Sequence, residues 1–215
     1  MSVHRFTIAL LLGGLWLPSA RTAAQSVDLR QPSPASVELA EVRRGVLEAR
    51  RTAGLALMIG GLASVVGGAV AAGVGADDPG WLTFGIGTAG WGAVNAGLSL
   101  GLLDLGGGRA EEIESDLSLR GQELARVRQE SAGGRRSAAS LFAFNTGLDV
   151  FYMGTAVMLL VLADTMTDAT DAGYMRGYAW AQLTQGAFLF AFDLSEWIAS
   201  LNQASSLEAV ELPGW

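Results

Sequence analysis

Residues 53–76 read "AGLALMIGGLASVVGGAVAAGVGA", a run without a single charged side chain. A helix needs about 20 such residues to cross roughly 30 Å of hydrocarbon, so this stretch decides the fold class. A second uncharged run, "WLTFGIGTAGWGAVNAGLSLGLL" (81–103), follows at once. Asp77-Asp78-Pro79-Gly80 between them reads as a tight polar turn, which makes the pair an antiparallel hairpin. A third apolar run extends from Leu141 to Ala163, and a fourth from Tyr174 to Leu201, interrupted by Asp193 and Glu196. The acidic turn "DTMTDATDAG" joins these two. The expected fold is all-α: a transmembrane four-helix bundle made of two hairpins. A buried soluble core is the competing reading, and uncharged runs of this length disfavour it.

Composition points the same way. Half of the 215 residues are hydrophobic and 16% are charged, against about 25% charged in ordinary soluble domains. There is no cysteine and no lysine; all 14 basic residues are arginine, and the only histidine is His4. A Walker lysine, a Schiff base and a cysteine-bound zinc are thereby excluded, and, if the N-terminus is cleaved, so are a Ser–His–Asp triad and a histidine-bound zinc. The net charge of −7 disfavours a nucleic-acid partner, which would meet a basic face. The expectation is a protein without enzymatic activity, cofactor or metal, whose partner is the lipid bilayer.

At the start, "MSVHRFTIALLLGGLWLPSARTAAQ" places Arg5 before an apolar stretch, then Pro18 and the small residues Thr22-Ala23-Ala24. That order is the layout of a secretory signal peptide over 1–24, with a retained anchor helix as the alternative. Residues 25–35, "QSVDLRQPSPA", carry two prolines and read as an irregular linker.

A charged helical segment precedes each hairpin, and the two are alike. "ELAEVRRGVLEARRTA" (38–53) aligns without gaps on "ELARVRQESAGGRRSA" (123–138), with identical Glu, Leu, Ala, Val and Arg early and Arg-Arg and Ala late. The chain therefore divides into a first repeat over 36–105, a second over 106–201 and a tail over 202–215. Each unit crosses twice, so the copies are related by an axis along the membrane normal. Within 109–131, Ile113, Leu117, Leu124 and Val127 share one face of a predicted amphipathic helix. That helix is expected on the membrane surface or against its counterpart at 36–51.

In lipid, helices associate through close backbone approach across small residues. Gly54, Gly61, Gly68 and Gly75 recur every seven residues on the first span, and Gly90, Gly97 and Gly101 mark the second. These are the expected packing positions, with association of two copies through the glycine faces as an alternative use.

The remaining polar residues are few. Asp149 lies eight residues into the third span and Asp193 eight before the end of the fourth. Antiparallel helices bring both to one depth, about 12 Å from the same face. Asn145 and Tyr152 flank Asp149 at helical spacing, Gln182 and Gln185 precede Asp193, and Asn95 sits at a similar level. The expected cluster is Asn95, Asn145, Asp149, Tyr152, Gln185 and Asp193. A carboxylate at such depth costs about 3 kcal/mol unless paired or protonated, and Arg50, Arg51, Arg135 and Arg136 are within topological reach. The cluster reads as interhelical glue or, alternatively, as a site for protons or a cationic solute in a small transporter or channel component. Paired aspartates also suggest intramembrane aspartyl proteolysis, but Thr146-Gly147-Leu148-Asp149 and Phe190-Ala191-Phe192-Asp193 lack the Gly-x-Gly-Asp motif.

With "NTGLDVFYMG" (145–154), "RGYAWAQLTQGAFLFAFDL" (176–194) and "GTAGWGAVNAG" (87–97), the sequence resembles a family of uncharacterised bacterial four-helix integral membrane proteins over residues 45–201. The resemblance implies the architecture and no chemistry; the glycine-rich first span departs from it. Location in the bacterial inner membrane as a multi-pass protein is the corresponding expectation. Orientation is in conflict. Segments 25–52 and 106–140 hold 5 and 6 arginines, and the opposite face holds Arg176. The positive-inside rule puts the arginines in the cytoplasm, whereas a cleaved leader puts them outside.

Overall fold

In the computed structural model, which describes residues 31–212, the first helix starts where the sequence supplies a cap. Ser33 Oγ accepts from the Ser36 amide (3.1 Å), and Ser36 Oγ accepts from the Ser33 amide (3.0 Å). Pro34 fills the first helical position, where no amide hydrogen is needed. Helix α1 then runs Pro34–Val74, α2 Pro79–Ser99, α3 Gly108–Ser115, α4 Gly121–Ala163 and α5 Ala169–Ala209, with one 3-10 turn at Asp116–Ser118. No strand occurs among the described residues. The predicted leader (1–24) and the linker up to residue 30 lie outside the described residues.

The two acidic turns are helix caps. Asp78 Oδ1 accepts from the amides of Gly80 and Trp81 (2.8 and 3.0 Å) to open α2. Asp168 Oδ1 does the same for Thr170 and Asp171 (2.8 and 3.0 Å) to open α5.

Three boundaries differ from the sequence reading. The charged segments are not separate helices: each continues into its apolar run, so α1 and α4 have 41 and 43 residues and each is about 60 Å long. Nothing between Arg51 and Gly54 breaks a helix, and a change of polarity alone does not. The amphipathic segment 109–131 is two pieces, because the backbone is extended at Leu119 and Arg120 and Gly121, which opens α4, adopts a left-handed φ of 53°. Residues 34–35 of the expected linker and 202–209 of the expected tail are helical.

In space the helices form an open row, α1–α2–α5–α4. Each hairpin packs along its own length, α2 and α5 join the hairpins, and α1 and α4 scarcely meet. A closed bundle is therefore not what the helices make. The row closes only at its polar end, where Leu39, Leu124, Leu207 and Val210 form a buried cluster. There α3 lies on α1: Ile113 packs with Ala40 and Leu47, and Arg43 pairs with Asp116 (2.5 Å) and Glu112 (3.1 Å).

The two ends have opposite polarity. At the polar end, leucines are inside and charges outside. Along the apolar halves the reverse holds: Val66, Ile86, Phe151 and Val161 are each more than 60% exposed, while Asn95, Asp149, Gln185 and Asp193 are at most 6% exposed. Two helices, α1 and α4, are long and apolar enough to cross a membrane, with mean hydropathies of 2.1 and 1.7. By the same measure α2 and α5 fall short among the described residues. Glycine, threonine and asparagine dilute α2, and Gln182, Gln185, Asp193 and Glu196 dilute α5.

Candidate functional site

The inward face of α5 is a ladder at spacings of three or four residues: Gln182, Gln185, Leu189, Asp193, Glu196, Ser200, then Ala204 and Leu207. This periodicity keeps one stripe turned toward α2 and α4. In its apolar half nearly every rung is polar.

Gln185 is the hub. Its Oε1 accepts from Asn95 Nδ2 of α2 (3.2 Å), and its Nε2 donates to Ser64 Oγ of α1 (3.1 Å). One buried amide thus bridges three helices and both hairpins. A turn away, Gln182 Nε2 donates to the Tyr152 carbonyl (3.0 Å) and to Thr155 Oγ1 (2.6 Å), tying α5 to α4.

Asp149 and Asp193 are buried neighbours. Side chains lean toward the N-terminus of their own helix, so on antiparallel helices the two carboxyl groups lean toward one another. Asp149 Oδ2 is buried and has no partner among the described residues.

The predicted cluster therefore separates into two pairs, Asn95–Gln185 and Asp149–Asp193. Asn145 is half-buried and makes no side-chain hydrogen bond among the described residues. Tyr152 contributes its carbonyl, and its ring stacks at a tilt on Trp91 with centroids 6.0 Å apart. Ser64, Gln182 and Thr155 complete the network. A serine in a small-residue run gave no cue, whereas Gln182 lies on the same stripe as Gln185. None of the four arginines in reach bonds to either aspartate. Arg51 pairs with Asp104 (3.3 Å), Arg136 with Glu208 (2.6 Å), and Arg135 donates to Ser200 Oγ.

Glycine placement follows only part of the expected stripe. A Cβ at Gly61 would lie 2.6 Å from the Ala96 amide nitrogen and 2.7 Å from the Gly92 carbonyl, and one at Gly68 would lie 2.5 Å from the Ala89 nitrogen. Backbones touch there. Gly54 faces the side chains of Leu102 and Leu103, and Gly75 caps α1 against Trp81. On α2 the interlocking residues are Gly85 and Gly92. Gly90 and Gly97 have nothing near them, and Gly101 approaches only Leu98 of its own chain segment. The α2 stripe is thus shifted from the predicted one, with the same seven-residue period.

No group of histidine, aspartate and glutamate side chains among the described residues is arranged to hold a metal ion. No curated protein and no solved structure matches the chain. A family model does match, over residues 56–194, which takes in the glycine contacts between α1 and α2, the Gln185 hub and both aspartates, and the chain belongs to this family of unknown function, DUF6992.

Proposed function

We propose that the protein is a non-enzymatic, multi-pass integral membrane protein of a bacterial inner membrane, a structural or accessory scaffold whose buried polar rungs join two hairpins. The observation that carries this reading is the inverted polarity of the apolar halves. Carboxyl and carboxamide groups are inside while valine, isoleucine and phenylalanine face outward, an arrangement that water would oppose and lipid tails favour. All four long helices share it, including α2 and α5, whose polar rungs lower their hydropathy without reaching the outer surface. A duplicated unit is supported by the matching layout of the hairpins: a helix of 41 or 43 residues, a turn, then an aspartate-capped helix.

A second reading rests on the burial of Asp149 and Asp193 as neighbours. Two carboxyl groups inside lipid favour a proton or a cation between them, and what is held there can exchange. One experiment addresses both readings. The full chain is expected to remain in the membrane fraction after alkaline carbonate washing, and its release would overturn the membrane reading. In vesicles carrying a pH-sensitive dye, the double variant Asp149→Asn/Asp193→Asn should leave proton flux unchanged if the pair is glue. A flux present in the parent protein and lost in that variant would transfer the function to the carboxyl pair.

A further inference from the structure

Where the polar and apolar halves meet, a cavity of about 520 Å³ opens between α1 and α4 above α5. Its lining includes Arg43, Arg50, Arg109 and Arg135 against Glu112, Glu130 and Glu196. Arg43 and Glu112 pair with each other, and Glu130 pairs with Arg126 outside the cavity (2.7 Å). Arg50, Arg109 and Arg135 are left to face Glu196, with Asp104, already paired with Arg51 (3.3 Å), beside Arg50 and Arg109.

Their hydrogen bonds are incomplete. Arg50 Nε, Arg109 Nη1 and Arg135 Nε are buried and without partners among the described residues. Arg135 is 6% exposed, and of its donors only Nη2 has a partner among the described residues, Ser200 Oγ. Burial and the neighbouring charges of Arg109 and Arg135 push the Arg50 guanidinium down to about 10, and burial lowers that of Arg135 as well. Like charges gathered in a half-enclosed space, with donors unused, are what an anion would relieve. The apolar rim of the same cavity is Leu141 and Phe142, at the start of the third apolar run.

We infer that Arg50, Arg109 and Arg135 form a binding site for a phosphoryl group, held by guanidinium forks at the boundary between the two halves of the molecule. The group belongs either to the head of an anionic phospholipid, whose chains would continue past Leu141 and Phe142, or to a soluble phosphate. The site uses neither the Gln185 network nor the carboxyl pair.

The test uses the full chain in a neutral detergent, with its unfolding temperature followed against added phosphatidylglycerol, phosphatidylcholine or inorganic phosphate. Phosphatidylglycerol or phosphate should raise the midpoint saturably, beyond any effect of phosphatidylcholine. The affinity should fall about tenfold or more in Arg50→Gln and in Arg109→Gln, and stay unchanged in Arg126→Gln. Phosphatidylglycerol acting alone assigns a lipid, and phosphate acting alone assigns a soluble anion. The site is overturned if neither probe exceeds phosphatidylcholine, or if both variants bind as the parent does. Arg50 and Arg109 are half-buried, so the test stands even if Arg135→Gln fails to fold. Without ligand, Arg50→Gln should unfold no earlier than the parent; an earlier midpoint would mark a purely structural arginine and count against the site. The lipid arm depends on the membrane reading and the phosphate arm does not, so phosphate binding by a chain that leaves the membrane under carbonate would overturn that reading alone.

Discussion

Gln185 offers both halves of one amide to two different helices, and this gives it a role no neighbouring residue can assume. Its replacement by leucine, close in size, leaves Asn95 Nδ2 and Ser64 Oγ without their partner. Interhelical hydrogen bonds in membranes contribute about 0.6 kcal/mol on average and at most about 1.7. Because this side chain makes two, Gln185→Leu should cost about 1–2 kcal/mol in a denaturing-detergent titration. Asn95→Leu should then cost much less in the Gln185→Leu background than alone, since the partner is already gone. Equal costs in both backgrounds would mean that the two residues do not act as a unit. At this scale the sequence was legible where a polar residue interrupts an apolar run, which is why Asn95, Asp149, Gln185 and Asp193 stood out. It was not legible for Asn145, whose spacing from Asp149 suits a shared face but whose position lies at the edge of the buried stripe. Nor did it show that neither aspartate would bond to an arginine. That depends on the lean of two antiparallel side chains and on Arg135 finding Ser200.

Between elements, the α1–α2 hairpin depends on backbone contact. Gly61 and Gly68 of α1 face Gly92 and Gly85 of α2 with the main chains in touch. A methyl group at Gly61 has no flexible side chain to displace, so the helices must part. Gly61→Ala should destabilise the hairpin by about 1–3 kcal/mol, the range for an overfilled core. Gly67→Ala, where nothing lies within 4 Å, should be neutral or slightly stabilising because alanine favours helix. The same titration compares the two, and equal effects would show that helix propensity, not contact, governs the response. The seven-residue period on α1 was readable because its partner runs antiparallel beside it. The α2 stripe was not, because α2 carries two glycine series seven residues apart, and only packing against α1 shows that Gly85 and Gly92 are the inward set. The fusion of charged and apolar segments was equally hidden: polarity changes at Arg51, but helix-forming tendency does not.

For the whole molecule, the open row and its two polarities set the topology. Both hairpin turns, at residues 75–78 and 164–168, lie at one end, and the polar cluster with α3 lies at the other. If all four long helices cross the bilayer, the two turns share one side and the arginine-rich end occupies the opposite side. The chain has no cysteine, so single cysteines introduced for labelling have no background. Asp77, Ser118 and Thr167 are exposed and cap no helix through their side chains, which makes them suitable positions. Asp77→Cys and Thr167→Cys should react with a membrane-impermeant maleimide from the same side of sealed vesicles, and Ser118→Cys only from the other. Labelling of Asp77→Cys and Ser118→Cys together from one side would rule out the four-crossing topology. The same measurement resolves the conflict between the leader and the arginine distribution. Ser118 reacting from the cytoplasmic side would follow the positive-inside rule, and the guanidinium cavity would then face the leaflet richest in anionic lipid. Ser118 reacting from outside would follow the leader, and the arginines of that end would be tolerated there because ion pairs such as Arg43–Asp116, Arg44–Glu114 and Arg136–Glu208 offset much of their charge.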